Sequence, residues 1–291
     1  MLSAEIVRRI REVELYTRRL VSGSLIGDTS SAIKGTGFEF DQIRDYQPGD
    51  DVRFIDWNSS GRMNKLLVKQ YVEERNRTIM LAVDISSSTS FASHAVCKSE
   101  TIEFLAAVLA LVSEYGKDKI GLITFSDTVH TMVIPKKGRS HTRMLMEHLF
   151  NKKPAQVRQT SLAVVLKELM RLKLKNATVF LLSDFIDTQI YEKELAIVSR
   201  IYDLIAVRVR DKHEYQLPRV GLLPIVDVET KRPWILDTRG SGSRSINEFL
   251  KTYATTQEMQ FKKNGIDLLD IDTNNDYMGD LIRFFRRRMR Y

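Results

Sequence analysis

Thr78-Ile79-Met80-Leu81-Ala82-Val83-Asp84-Ile85-Ser86-Ser87-Ser88 is the stretch on which the reading of this chain turns. Residues 78–83 are apolar on both faces, as strands buried inside a parallel sheet are. The run stops abruptly at a carboxylate followed by serines. Downstream, strand-like segments at 119–125, 177–182, 203–209 and 266–271 alternate with helix-like ones at 97–115, 141–150, 161–172, 191–200, 245–262 and 278–289. That alternation predicts an α/β fold with a doubly wound, mostly parallel sheet. Residues 129–134 follow the second strand after a short link and read as an antiparallel edge strand; 220–228 and 234–237 suggest a late hairpin.

Upstream the pattern differs. Residues 4–21 carry Ile6, Ile10, Val13, Tyr16 and Leu20 at helical spacing, and a Gly- and Ser-rich link follows over 22–37. Then come short extended pieces on either side of the turn signal Pro48-Gly49-Asp50-Asp51, with 66–72 as another strand. The expected organisation is a helix and small N-terminal β-rich annex over 1–77, an α/β domain over 78–215, and a C-terminal extension of the sheet over 216–291.

Bulk properties narrow the function. A chain of 291 residues, 43% hydrophobic and 28% charged, has material for a substantial core. Cys97 is the single cysteine, so no intrachain disulfide can form. The start lacks a signal-peptide pattern, and the longest apolar run, 104–112, is far short of the roughly 20 residues that span a bilayer. A cytoplasmic protein without a membrane span is the expectation. The net charge of +8 is concentrated at Arg283, Arg286, Arg287, Arg288 and Arg290, which read first as a solvated helix end and second as a patch for acidic protein, lipid or RNA.

In a doubly wound sheet, ligands sit beyond the carboxyl ends of the strands, where strand order reverses. Asp84, Ser86 and Ser88 follow one buried strand, Ser183 and Asp184 follow another, and Thr160 precedes a helix between them. Taken singly, each is an ordinary turn or cap residue. Together they bring two carboxylates and several hydroxyls to one edge. Carboxylates that close repel, which raises a pKa or demands a cation. A site made of oxygens selects Mg²⁺, with Ca²⁺ or Mn²⁺ as the other hard ions it admits, and Mg²⁺ suits sparse small side chains best.

Asp84-x-Ser86-x-Ser88, a later Thr and Ser183-Asp184 resemble the metal-ion-dependent adhesion site of von Willebrand factor A domains, whose fold is Rossmann-like. The resemblance implies that Ser86, Ser88 and Thr160 bind the metal through hydroxyls, with Asp84 and Asp184 acting mostly through bound water. Thr142 and Thr124 are rivals for the threonine position. Gly35-x-Gly37-x-Glu39-Phe40, Arg44-x-Tyr46-x-Pro48-Gly49-Asp50-Asp51-x-Arg53-x-Ile55-Asp56-Trp57 and Glu73-Glu74 are similar to the bacterial domain-of-unknown-function 58 (DUF58) family. Thr89 and Gly61 depart from residues common in that family, Met and Ala, and neither is a proposed ligand.

With neutral hydroxyls as direct ligands the ion stays electrophilic and favours a carboxylate from another molecule. The expected function is therefore a non-enzymatic, metal-dependent protein-binding module whose partner presents Asp or Glu. The family resemblance implies a MoxR-type AAA+ ATPase as that partner, with the chain as adaptor or chaperone-like cofactor. Two other functions stay open: a metal-dependent phosphohydrolase or nuclease at the same strand ends, and nucleic-acid binding through the terminal arginines. The first would need more carboxylates and a placed base. There is no G-x-x-x-x-G-K-[ST] for nucleotide hydrolysis. His94 with Cys97 lacks a third orienting group, and His141 with His148 lacks zinc partners, so packing and surface roles are expected. Arg53, Asp56 and Trp57 read as a buried ion pair covered by an indole.

Overall fold

A computed structural model describes residues 38–73, 77–93, 96–151, 159–187, 189–215, 220–226, 232–275 and 277–288, with Arg8, Ile10, Arg11, Glu14 and Thr17 near the N terminus. Those five positions are helical; the rest of the helix expected over 4–21, the link 22–37, and His94, Glu74 and Arg290 lie outside the described residues. The chain divides into two compact units, Lys34–Asn76, and Met1–Ile33 together with Arg77–Tyr291.

In the smaller unit, β1 (Phe38–Asp45) and β2 (Leu67–Glu73) pair antiparallel, with a register shift between Phe40 and Gln42. Between them lie a 3₁₀ turn (Val52–Phe54) and α1 (Trp57–Met63). Its long motif is a set of turn and cap devices. Arg44 grips Asp50 through two bonds of 2.7 Å, and Gly49 takes the positive φ of +109° that the turn before it requires. Asp51 caps the 3₁₀ turn, and Asp56 caps α1 by accepting from the backbone N–H groups of Asn58 and Ser59. The expected buried pairing of Arg53 with Asp56 beneath Trp57 does not form. Arg53 pairs instead with Asp51 at 2.6 Å, two residues away, because the Asp56 carboxylate is taken by the helix start; Trp57 is 69% exposed.

The larger unit holds a six-stranded sheet. Its strands are β3 (Thr78–Asp84), β4 (Lys119–Phe125), β5 (Val129–Lys136), β6 (Ala177–Ser183), β7 (Asp203–Arg210) and β10 (Asp267–Asp272). A separate hairpin, β8 (Leu222–Val226) with β9 (Pro233–Asp237), lies between β7 and β10 in sequence. The sheet order is β10-β7-β6-β3-β4-β5, parallel throughout except for β5, which runs antiparallel to β4. From β3 the chain builds outward through β4 and β5, then crosses over to β6 and builds the other way. The switch point is therefore between β3 and β6.

Helices cover both faces, as continuous apolar strands require. One face packs against α2 (Lys98–Tyr115), α3 (Arg139–Phe150) and α8 (Tyr277–Arg288), with Ile10 joining the same core. The other packs against α4 (Leu162–Leu172), α5 (Glu192–Ile201) and α7 (Ser241–Lys263); a short α6 (Lys212–Tyr215) follows β7. Alternating exposure along β5 marks it as the half-solvated edge, and it approaches β4 closely at Gly121, where a Cβ would sit 2.7 Å from the Val133 carbonyl oxygen. The architecture is a mixed α/β, doubly wound, mostly parallel sheet with an antiparallel edge strand. Among the described residues, no helix is long and apolar enough to cross a membrane.

Candidate functional site

The β3–β6 register sets Val83 beside Leu182, so Asp84 and Ser183 leave the sheet side by side at its carboxyl edge. The Asp84 carboxylate organises the loop beyond the strand. Its Oδ1 accepts from the Ser86 backbone N–H at 2.8 Å, and its Oδ2 accepts from the Ser183 hydroxyl at 2.6 Å. The first bond turns the chain so that Ser86 and Ser88 face back over the strand end. Thr160 arrives from the loop before α4, and its hydroxyl donates to Ser86 Oγ at 2.8 Å. Ser86 Oγ lies 3.0 Å from Ser88 Oγ, and Ser88 Oγ lies 3.3 Å from Thr160 Oγ1.

Three hydroxyl oxygens thus form a closed triangle. Octahedral Mg²⁺ with bonds of about 2.1 Å needs neighbouring ligands about 3.0 Å apart, and Ca²⁺ with bonds of about 2.4 Å needs about 3.4 Å. The triangle has the smaller spacing. Mutually bonded hydroxyls keep similar separations, so it is stable with or without an ion. Asp84, Ser86 and Thr160 are buried and Ser88 is half-buried. Among the described residues, no group of three or more His, Cys, Asp or Glu side chains is arranged to hold a metal. The rival threonines lie elsewhere: Thr142 is inside α3 with its hydroxyl on the Gly138 carbonyl, and Thr124 lies within β4 opposite Thr131.

Asp184 has a partner that sequence reasoning missed. Lys98, at the start of α2 and fully buried, donates to Asp184 Oδ2 at 2.8 Å and to Glu214 Oε1 at 2.5 Å. Burial opposes its charge, but Asp184 and Glu214 outweigh burial and hold the ammonium above the ordinary lysine value. Burial, then the charge of Asp184, raises the Asp84 carboxyl well above the usual range. Both outcomes expected of crowded carboxylates therefore occur, a raised pKa on one and a cation on the other. The lysine carried a legible signal. A positive side chain in the first turn of an apolar helix opposes the macrodipole and needs carboxylates nearby.

Asp184 Oδ1 accepts from the Ile186 N–H at 3.1 Å, so each oxygen of both aspartates already takes one bond. A carboxylate oxygen has two acceptor directions, and the remaining ones suit a metal-bound water better than direct ligation. Phe185 between them adopts φ +55°, rare for a bulky residue, and its carbonyl is gripped by Gln257 at 2.7 Å and Tyr253 at 3.2 Å. The kink at Phe185 is thereby tied to α7. One of the two histidines differs from the expected surface role. His148 is exposed, but His141 is half-buried with Nε2 2.8 Å from the Ile120 carbonyl oxygen, because the first turn of α3 leans on β4. Cys97 is the N-cap of α2.

Sequence comparison agrees with the motif reading. An uncharacterized protein of Mycobacterium tuberculosis is 28% identical over 287 residues, 97% of this chain and 89% of its own length. An uncharacterized protein of Bacillus subtilis is 28% identical over 107 residues, 37% of this chain and 25% of its own. Among solved structures, conserved hypothetical protein BatB of Bacteroides thetaiotaomicron is similar at 14% identity and a TM-score of 0.49, covering 73% of this chain and 98% of that one. The SpRpn10 VWA domain is similar at 9% identity and a TM-score of 0.42, covering 71% and 93%. The family described as protein of unknown function DUF58 matches residues 42–259, three-quarters of the sequence, and this chain belongs to it.

Proposed function

We propose that the chain is a non-enzymatic protein-binding module of the cytoplasm that engages a partner's Asp or Glu through a bound Mg²⁺. Ser86, Ser88 and Thr160 hold the ion directly, and Asp84 and Asp184 hold its waters. The observation that carries this reading is the hydroxyl triangle, spaced as one face of a magnesium octahedron. Neutral ligands leave the double charge largely unspent, which favours an incoming carboxylate. Asp84 is followed by serines rather than by a further acid that could hold a second ion, which supports binding over hydrolysis. By family resemblance the partner is a MoxR-type AAA+ ATPase, for which the chain acts as adaptor.

Thermal unfolding with and without millimolar Mg²⁺ tests the site. An ion present at 100 times its dissociation constant stabilises the fold by about 2.7 kcal/mol. The wild-type midpoint rises, while Ser88→Ala and Asp84→Ala show no rise; equal rises in all three proteins would refute the site. Co-purification with a MoxR-type ATPase is expected in Mg²⁺, and is lost in EDTA and in Ser88→Ala. Capture that ignores both would refute the docking role.

A further inference from the structure

Bordered by Asp184 and by α7 lies a cavity of about 250 Å³. We propose that it binds a single large, uncharged apolar side chain, carried by the same partner segment that brings the carboxylate to the cation. That second clause rests on the function proposed above; the cavity's preference for a neutral apolar group stands on its own.

Size points to one side chain. The cavity is smaller than the roughly 300–1,000 Å³ of pockets that take cofactors or drug-sized ligands and larger than the roughly 150 Å³ apolar cavity that admits a benzene ring, so it has room for one large side chain. Its walls point to an apolar one. Ile186, Tyr215, Phe249, Leu250, Tyr253 and Ala254 supply aliphatic and aromatic surface, and Ile186 and Phe249 are 45% and 67% exposed, forming an apolar lip.

Charge decides the chemistry. The cavity also touches charged groups, but each is already committed. Arg208 is bound to Asp270 and Glu258 at 2.7 Å each, and Arg210 is bound to Asp270. Asp184 and Glu214 share Lys98. Asp187 caps α4 through the Leu162 N–H at 2.8 Å and accepts from the Gln189 N–H at 2.8 Å. Burying a charged occupant against these apolar walls would cost its hydration, while a neutral apolar one displaces water at no such cost. Location supplies the partner. Asp184 lines this cavity and directly follows Ser183, whose hydroxyl bonds Asp84 at the triangle's base, so one segment crossing the β6 end meets both.

The test is a titration of the full chain followed by amide NMR, with N-acetyl-leucine amide and N-acetyl-phenylalanine amide as neutral probes. N-acetyl-lysine amide and inorganic phosphate serve as charged controls. The neutral probes should give saturable shifts at Phe249, Tyr253 and Ala254; the charged ones should not. Ala254→Phe, or Leu250→Trp should the first variant fold poorly, fills the space and abolishes the shifts. Neutral probes that leave these amides unmoved, charged probes that move them, or filling variants without effect would each overturn the assignment. In Mg²⁺, N-acetyl-aspartyl-leucine amide should bind about ten-fold or more tightly than the aspartyl-alanine analogue, and equal affinities would remove the shared-segment clause. Ser88→Ala should remove the effect of Mg²⁺ and leave the wall shifts intact. An absent Mg²⁺ effect in the wild type therefore indicts the metal reading alone, and absent wall shifts indict the cavity alone.

Discussion

Lys98 has no exposed side-chain surface, and its ammonium joins carboxylates from two other segments, Asp184 at the end of β6 and Glu214 in α6. Removing one member of a buried ionic set leaves the others uncompensated, which costs about 3–5 kcal/mol. Lys98→Met should lower unfolding free energy by that amount in urea titrations, and adding Asp184→Asn to it should recover part of the loss. A change under about 1 kcal/mol would mean that water already solvates the group. Asp84, Ser86, Ser88, Thr160 and Asp184 were legible in the sequence because each sits at the end of a recognisable strand or the start of a helix. The lysine's place in the first turn of an apolar helix signals only that carboxylates are near, and Glu214 lies 116 residues away from it. Nothing local announces a pairing over that separation. Trp57 failed for the opposite reason: an aromatic beside charges reads as covered, yet the nearer Asp51 took the arginine.

Elements were more readable than their edges. Parallel strands announce themselves by unbroken apolar runs, and every strand of the six-stranded sheet fell within two residues of its sequence reading. The widest boundary difference is at α7, which starts at Ser241, four residues before the apolar pattern begins, since glycine and serine gave no helical signal there, and the short helices α1 and α6 were not anticipated. At the β4–β5 edge the controlling residue is Gly121. Any side chain would meet the Val133 carbonyl at 2.7 Å and the Pro135 ring at 2.8 Å, both of them stiff. Gly121→Val should therefore cost about 1–3 kcal/mol, seen as a lower unfolding midpoint and faster amide exchange along β5. Unchanged exchange at Val133 would show that the edge strand can shift without loss.

At the level of the whole molecule, β10 and α8 complete the sheet and its cover. Met278, Leu281, Phe284 and Phe285 enter the same core as α2, and Arg288 reaches Asp203 and Asp267 at the amino ends of β7 and β10. The terminal arginines are thus not one uniform patch. Arg288 is 17% exposed and fastens the helix, whereas Arg283 is 73% exposed and pairs only with Asp280 among the described residues. Arg288→Ala should lower the melting temperature measurably, while Arg283→Ala should change stability by less than about 0.5 kcal/mol. If the arginines instead served nucleic acid, affinity for a single-stranded RNA probe would fall steeply with salt; no such binding is expected. The topology also constrains synthesis. Ser86 and Thr160 meet across 74 residues of sequence, and Ser183 reaches Asp84 across 99. A ribosome must therefore pass Thr160 before the hydroxyl triangle can close, and finish β6 before Asp84 gains the Ser183 bond that fixes it, so a nascent fragment ending short of residue 160 lacks the third hydroxyl.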